Sequence, residues 1–353
     1  MIVYIILLLI FLFSAFIAKV LPEFKNIMSS FLILTLIVIS GFRYNVGMDY
    51  EVYDAIYNDI QNNIQSGIES RVEAGFHIGC KICSALGGTS QLMFLLMSIG
   101  TILLLYNSYR KNSPNMMMSL MIFLCFGQMY LSTFNAIRQC LSIGLFAYSI
   151  QYIKHRQLVK YIVAIGLAAL FHKTAILLFP LYWLLSREYN KVILIILLIG
   201  CVCLTKLMIY IINNSPYAVY LNFDNFSKDA SIINYLYFMI SCTIFLFSDH
   251  VMKEYPDRQI FLNINYILLI LFSIYISFSG TPLVMVVTRL TYYFIYFYAI
   301  IFCRILYDIK RSQLRFFAQC SFGVFMILMY LRTTISLGER YHLLPYQINL
   351  ALF

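Results

Sequence analysis

Charge is scarce in this chain of 353 residues. Asp, Glu, Lys and Arg make up 11% of it, against about a quarter in a soluble domain. Acid is scarcer than base, with 15 Asp and Glu against 25 Lys and Arg, and histidine occurs five times. With 62% of its residues hydrophobic, the chain carries more apolar surface than a soluble core can hide, which excludes a water-soluble enzyme. Of nine scattered cysteines, only Cys80 and Cys83, in CKIC, stand close together in a polar stretch. Without a second pair or a histidine set, that spacing does not make a zinc or redox motif, and small buried side chains are the simpler account. The sequence holds neither metal-ligand spacing nor a glycine-rich nucleotide loop, so neither a metal nor a cofactor is expected.

Apolar runs fill the chain instead. Ile2 to Ala18, Val192 to Ile212, Ile232 to Phe247 and Ile260 to Phe278 carry no formal charge except Lys206. Most of them reach the ~17 to 25 residues that a bilayer demands. The fold class expected is therefore all-α, a polytopic integral membrane protein forming a single membrane domain over 1–353. The first run has no basic residue before it and no small-residue cleavage pattern after it, so a retained helix is expected there rather than a signal peptide.

Twelve spans are read, at about 2–21, 27–41, 91–107, 115–132, 137–153, 158–171, 174–186, 191–212, 232–248, 260–278, 286–306 and 316–331. With the first helix starting outside, the connections 19–26, 108–114, 154–160, 187–191, 249–259 and 304–315 face the cytoplasm and hold 15 Lys/Arg against 6 Asp/Glu. The longest connection on the other side, 42–90, holds 3 basic and 6 acidic residues. The positive-inside rule gives this orientation, and it turns the basic excess into a topological signal that leaves no support for nucleic-acid binding. Basic residues flank 158–186 on both sides, which favours two short helices turning at His172 over one long span. The 42–90 stretch is too long for a plain connector. Within it Tyr50, Tyr53, Ile56, Tyr57 and Ile60 recur at three and four, as in an amphipathic helix lying on the membrane surface. A shorter outer loop is expected at 213–231.

The strongly polar residues near membrane level fall on the outer side: Arg43, Asp49, Arg138, His172, Lys173, Arg289, Arg332, Arg340 and His342. Charges close to hydrocarbon are costly and usually face a cavity, a partner or a substrate. In FNAIRQ, the spacing of Asn135, Arg138 and Gln139 puts them on one face at a helix start. In VVTRLTYYF, Arg289 precedes Tyr292 and Tyr293 by one turn, where the rings can brace a guanidinium or stack on a sugar. Arginine suits a pyrophosphate because it stays charged and its planar fork gives parallel hydrogen bonds. Blander readings stand beside these. Each arginine can be an interfacial anchor, His172 a neutral imidazole bonded to a carbonyl, Asp49 a helix N-cap, and the tyrosines packing or interface residues.

Read in order, GFRYNVGMDYEVY, EAGFHI, FNAIRQCLSIGLF, LAALFHKTAILLFPLYWL, TRLTYYF and LLPYQ resemble the EpsG-like branch of the Wzy-type bacterial polysaccharide polymerases. One position departs from that pattern, with Ala74 where proline is common. The resemblance implies a GT-C-like membrane architecture. It also implies a metal-independent glycosyltransferase that joins undecaprenyl-diphosphate-linked repeat units at the outer face of the bacterial inner membrane, in O-antigen, capsule or exopolysaccharide synthesis. A chain-length regulator and membrane lipids are the further partners it implies.

For such a transfer, Arg138 and Arg289, then Arg43 and Arg340, are the groups expected to meet the leaving diphosphate. His172 or Asp49 would take the acceptor proton, with Asp54, Asp59, Glu69 and Glu73 as further acidic candidates. Asn135, Gln139, Lys173, Tyr292, Tyr293 and Tyr50 complete the expected substrate contacts. Two rivals predict different patterns. A membrane-bound polysaccharide O-acyltransferase would carry its chemistry on His172 and need no set of outer arginines. A lipid-linked glycan flippase would distribute charge through the membrane depth.

Overall fold

The computed structural model describes residues 1–64, 72–126, 128–214, 232–281, 283–338 and 341–352. Among them the regular structure is helical, and an isolated antiparallel bridge pairs Arg43 with Ile348. The chain forms two compact units, one of Met1–Phe179 with Ala299–Phe353 and one of Pro180–Tyr298.

In the first unit, α1 (Ile2–Val20) and α2 (Lys25–Gly41) form an antiparallel pair joined by a short turn that starts at Pro22. The connection 42–90 holds α3 (Tyr50–Gln61) and α4 (Ala74–Ala85). After it come α5 (Ser90–Asn112), α6 (Met116–Cys125), α7 (Ile137–Lys154) and α8 (Leu158–Phe171). Arg110 and Lys111 close α5 and Lys154 closes α7, a placement that suits the negative end of a helix dipole. At His172 the backbone turns extended, and a tighter helical turn follows over Lys173–Leu178. The second unit holds α9 (Leu181–Leu184), α10 (Lys191–Asn213), α11 (Ile232–Leu246), α12 (Arg258–Ser277) and α13 (Val284–Ile295). There the Asn263 amide donates to the carbonyls of Leu185 (2.8 Å) and Arg187 (2.7 Å), tying α12 to the chain leaving α9. α14 (Tyr298–Tyr307) and α15 (Ser312–Gly338) end the helical sequence.

Among the described residues six helices are long and apolar enough to cross a membrane, and a seventh is reached if Val284–Ile295 and Tyr298–Tyr307 count together. Of the twelve crossings expected from the sequence, helix length and composition support six or seven. Helices lie where the others were expected, but Met116–Cys125, Leu158–Phe171 and Ile232–Leu246 are 10, 14 and 15 residues long, short of the ~20 a full crossing takes. The 213–231 loop falls almost wholly outside the described residues.

Buried tyrosines hold much of the first unit together. An aromatic ring fills apolar space while its hydroxyl needs a partner. Here the partners are main-chain carbonyls of other segments: Tyr130 donates to Leu36 (2.9 Å), Tyr330 to Tyr4 (2.9 Å), Tyr4 to Leu343 (3.0 Å) and Tyr161 to Leu178 (2.7 Å). Residues 342–352 run back as a strap along both ends of the 42–90 connection. The Tyr44 N–H donates to the Gln347 carbonyl (3.0 Å), Asn349 to Phe42 (2.9 Å) and Thr89 to Leu352 (2.8 Å).

The apolar face of α3 consists of Tyr50, Tyr53, Ile56, Tyr57 and Ile60, the five residues its periodicity marked. It rests on protein rather than on a membrane surface, packed with Phe76, Cys80, Cys83, Met93 and Phe94. Two glycines permit close approaches here. Gly47 has φ +105°, and a Cβ on it would stand 2.4 Å from the Phe134 carbonyl oxygen. A Cβ on Gly75 would stand 2.8 Å from the Leu170 carbonyl oxygen, so α4 meets the end of α8 backbone to backbone. Gly75→Ala should lower the melting temperature of the detergent-solubilised protein, by about 1–3 kcal/mol of overpacking. Gly79→Ala, whose nearest neighbour is the flexible end of Met97 at 3.5 Å, should not.

Candidate active site

Glu73 is the N-cap residue of α4, in extended backbone, but its side chain makes no capping bond. It reaches sideways instead, where Gly75 has let the end of α8 come close. One carboxylate oxygen, Oε2, accepts from Nη1 of Arg138. The other, Oε1, accepts the Lys173 main-chain N–H at 3.3 Å and lies 3.4 Å from Nδ1 of His172. Arg138 sits in the first turn of α7, where a cation opposes the helix dipole and gains from a carboxylate alongside. Its Nε donates to the Tyr53 hydroxyl at 3.5 Å, and its guanidinium lies 5.6 Å from the Tyr53 ring and 5.8 Å from the Phe76 ring. Residues from α7 and from the turn after α8 thus converge on the carboxylate that opens α4, and α3 braces the site through Arg138.

The Glu73 and His172 side chains are each 9% exposed, whereas Arg138 keeps 21% of its side chain accessible. Burial alone would push the Glu73 carboxyl upward. The contact with His172, the charge of Arg138 and main-chain N–H groups outweigh it and hold the pKa at about 2. The site therefore carries a carboxylate that stays ionised, an imidazole oriented by it, and a guanidinium partly open to a ligand.

The other expected site residues are placed as follows. Arg43 is 1% exposed and donates to the main-chain oxygens of Val46 (3.1 Å), Phe134 (3.2 Å) and Ser40, with Phe94 and Phe134 flanking the guanidinium at 4.7 and 5.5 Å. Burial lowers its pKa to about 10, so it remains charged at neutral pH. A guanidinium committed in this way ties the 40–47 turn to the chain before α7 and acts as scaffold. Tyr50 is buried and stacks on Phe94 with centroids 4.6 Å apart, which makes it core. Asp49 stands at the N-cap position of α3, partly buried, without a capping side-chain bond. Its charge acts on Tyr53.

Asn135 precedes α7, which begins at Ile137, so it does not share a helical face with Arg138 and Gln139. Its Oδ1 packs where a Cβ on Gly47 would stand, at 2.9 Å. Gln139 is 3% exposed, while the Lys173 side chain is exposed. Arg340 and Glu69 lie outside the described residues. In the second unit, Arg289 is exposed on α13, Tyr292 half-buried and Tyr293 fully buried. Asp54 accepts from Ser90 Oγ and from the Asn58 amide (3.2 Å).

Sequence reasoning held Glu73 only as one acid among four and missed its central position. The signal was local: a glutamate opening a helix in EAGF, two residues before a glycine. Because the Glu73 pKa is depressed, its stabilisation is fully present above about pH 4.5 and is lost as the pH falls towards 2. The wild-type melting temperature should therefore drop across that window, and Glu73→Gln should flatten the drop after losing on the order of 2 kcal/mol at neutral pH.

A family model described as the EpsG family matches residues 26–348 of this chain. No curated protein and no solved structure matches it.

Proposed function

Because the chain belongs to the EpsG family, we propose that it is a polysaccharide polymerase, transferring a growing glycan from its undecaprenyl diphosphate onto a hydroxyl of the next lipid-linked repeat unit. The observation that carries this reading is the convergence of Arg138, His172 and Lys173 on Glu73. The proposal places that site at the outer face of the bacterial inner membrane, in a GT-C-like membrane architecture.

In the transfer, the acceptor oxygen bonds to the anomeric carbon as the bond from that carbon to the diphosphate oxygen breaks. The electron pair leaves with the lipid diphosphate, and the hydroxyl proton must find a base. Glu73, held ionised to about pH 2, is too weak a base for that task near neutrality. Its work is to orient His172: a carboxylate facing Nδ1 favours the tautomer whose Nε2 is left to accept a proton. The accessible part of Arg138 and the ammonium of Lys173 meet the charge that develops on the diphosphate, where preorganised cations act most strongly. Arg289 and Arg340 keep the diphosphate role expected of them, with Tyr292 beside Arg289 as a sugar contact. Asp49 is proposed as an acceptor contact, and the buried Gln139 as support at the start of α7. Arg43, Tyr50, Asn135 and Tyr293 act as support.

Arg138→Ala and His172→Ala, produced at wild-type levels in the membrane, should each cut polymerisation on the order of 10²–10³-fold. On a gel of surface polysaccharide, the long-chain ladder should collapse to single repeat units. A normal ladder from both variants overturns the assignment. Lipid-linked units trapped inside the cell would indicate a flippase, and intact chains lacking acyl groups an acyltransferase.

A further inference from the structure

On the face that the lysine and arginine excess assigns to the cytoplasm, a groove of about 510 Å³ opens between α1, α6 and α15. It lies in the first unit and uses none of the site residues. Its walls are apolar and soft, with Met117, Met118, Met121 and Met326 among them, and methionine adapts to a flexible apolar occupant. Lys19 and Lys25 line the same groove, and the Lys19 ammonium rests 5.0 Å from the Phe316 ring. The two connections beside it, 19–26 and 304–315, hold 6 Lys/Arg against 2 Asp/Glu, Glu23 and Asp308 being the acids.

Two dimensions narrow the occupant. The wall that α15 contributes runs from Phe316 to Met326, about 15 Å at 1.5 Å per residue. That is the depth of one leaflet, half of the ~30 Å hydrocarbon core. Gly323 also lines the groove, and a Cβ on it would meet nothing within 4 Å. A glycine inside a helix costs stability, and no close packing at this position requires one. What its missing side chain leaves is open space.

We propose that this groove is a binding site for an anionic phospholipid of the cytoplasmic leaflet, its acyl chain along the methionines and its phosphate at Lys19 and Lys25. Basic pockets between membrane helices on the cytoplasmic side favour such headgroups. The occupant chemistry follows from the combination of a leaflet-deep apolar channel and a cationic mouth, and it is independent of the reaction proposed for the outer site.

The test is native mass spectrometry of the full-length protein in detergent, titrated with phosphatidylglycerol or with phosphatidylcholine. Wild type should retain phosphatidylglycerol in clear preference to phosphatidylcholine. Lys19→Gln with Lys25→Gln should weaken phosphatidylglycerol binding roughly 10- to 30-fold. Gly323→Leu, which fills open space and improves helix propensity, should weaken it comparably while the lipid-free melting temperature holds or rises. Equal retention of the two lipids, or variants that bind phosphatidylglycerol like wild type, overturns the proposal. So does a dimer that Gly323→Leu abolishes without any lipid preference, since the occupant would then be a second copy of the chain.

Discussion

A carboxylate as enclosed as that of Glu73 cannot stand alone, because an unpaired charge removed from water costs several kcal/mol. The first unit meets that demand with a guanidinium from α7, a main-chain N–H and an imidazole from the turn after α8, and a backbone approach at Gly75 that brings them within reach. Each partner is itself fixed by what it bonds. Arg138 is held by Tyr53 of α3, and His172 occupies the one extended residue between two helical segments. A network of this kind is rigid as long as every member is satisfied, and rigidity is what the proposed transfer would ask of these groups.

Arg43 solves a related problem by other means. Among the described residues no carboxylate pairs with it; its charge is spread over three main-chain carbonyls and two aromatic faces. The result is a turn after α2 that is pinned to the chain before α7 and, through the strap formed by Gln347 and Asn349, to the end of the chain. α3 starts from that turn, so Tyr53 and with it Arg138 depend on Arg43 for position.

Periodicity made α3 legible residue by residue, and the basic flanks of 158–186 made the turn at His172 legible as well, because both are local patterns. What covers the α3 face was not local: five apolar residues at three and four read the same whether lipid or Phe76, Cys80 and Phe94 lie against them. Glu73 and Arg138 are far apart in sequence, and an ion pair between them leaves no spacing to read. Arg43 resembled an exposed anchor because composition says nothing about which carbonyls a guanidinium meets. Asn135 and Arg138 are three apart, but the helix starts between them, so helical spacing misled there. Hydropathy found the helices but not their lengths, since short apolar helices such as Met116–Cys125 score like pieces of longer ones.

The central claim is that the Glu73–Arg138 pair does chemistry and is more than a clasp between α4 and α7. The most direct measurement is the surface polysaccharide made by a charge-swapped chain carrying Glu73→Arg with Arg138→Glu. The swap keeps an ion pair between the helices but takes the guanidinium from its proposed place at the diphosphate and the carboxylate from His172. The account predicts a protein that accumulates in the membrane while single repeat units remain on the lipid. Long chains restored by the swap would contradict it, because any pair of opposite charges would then suffice.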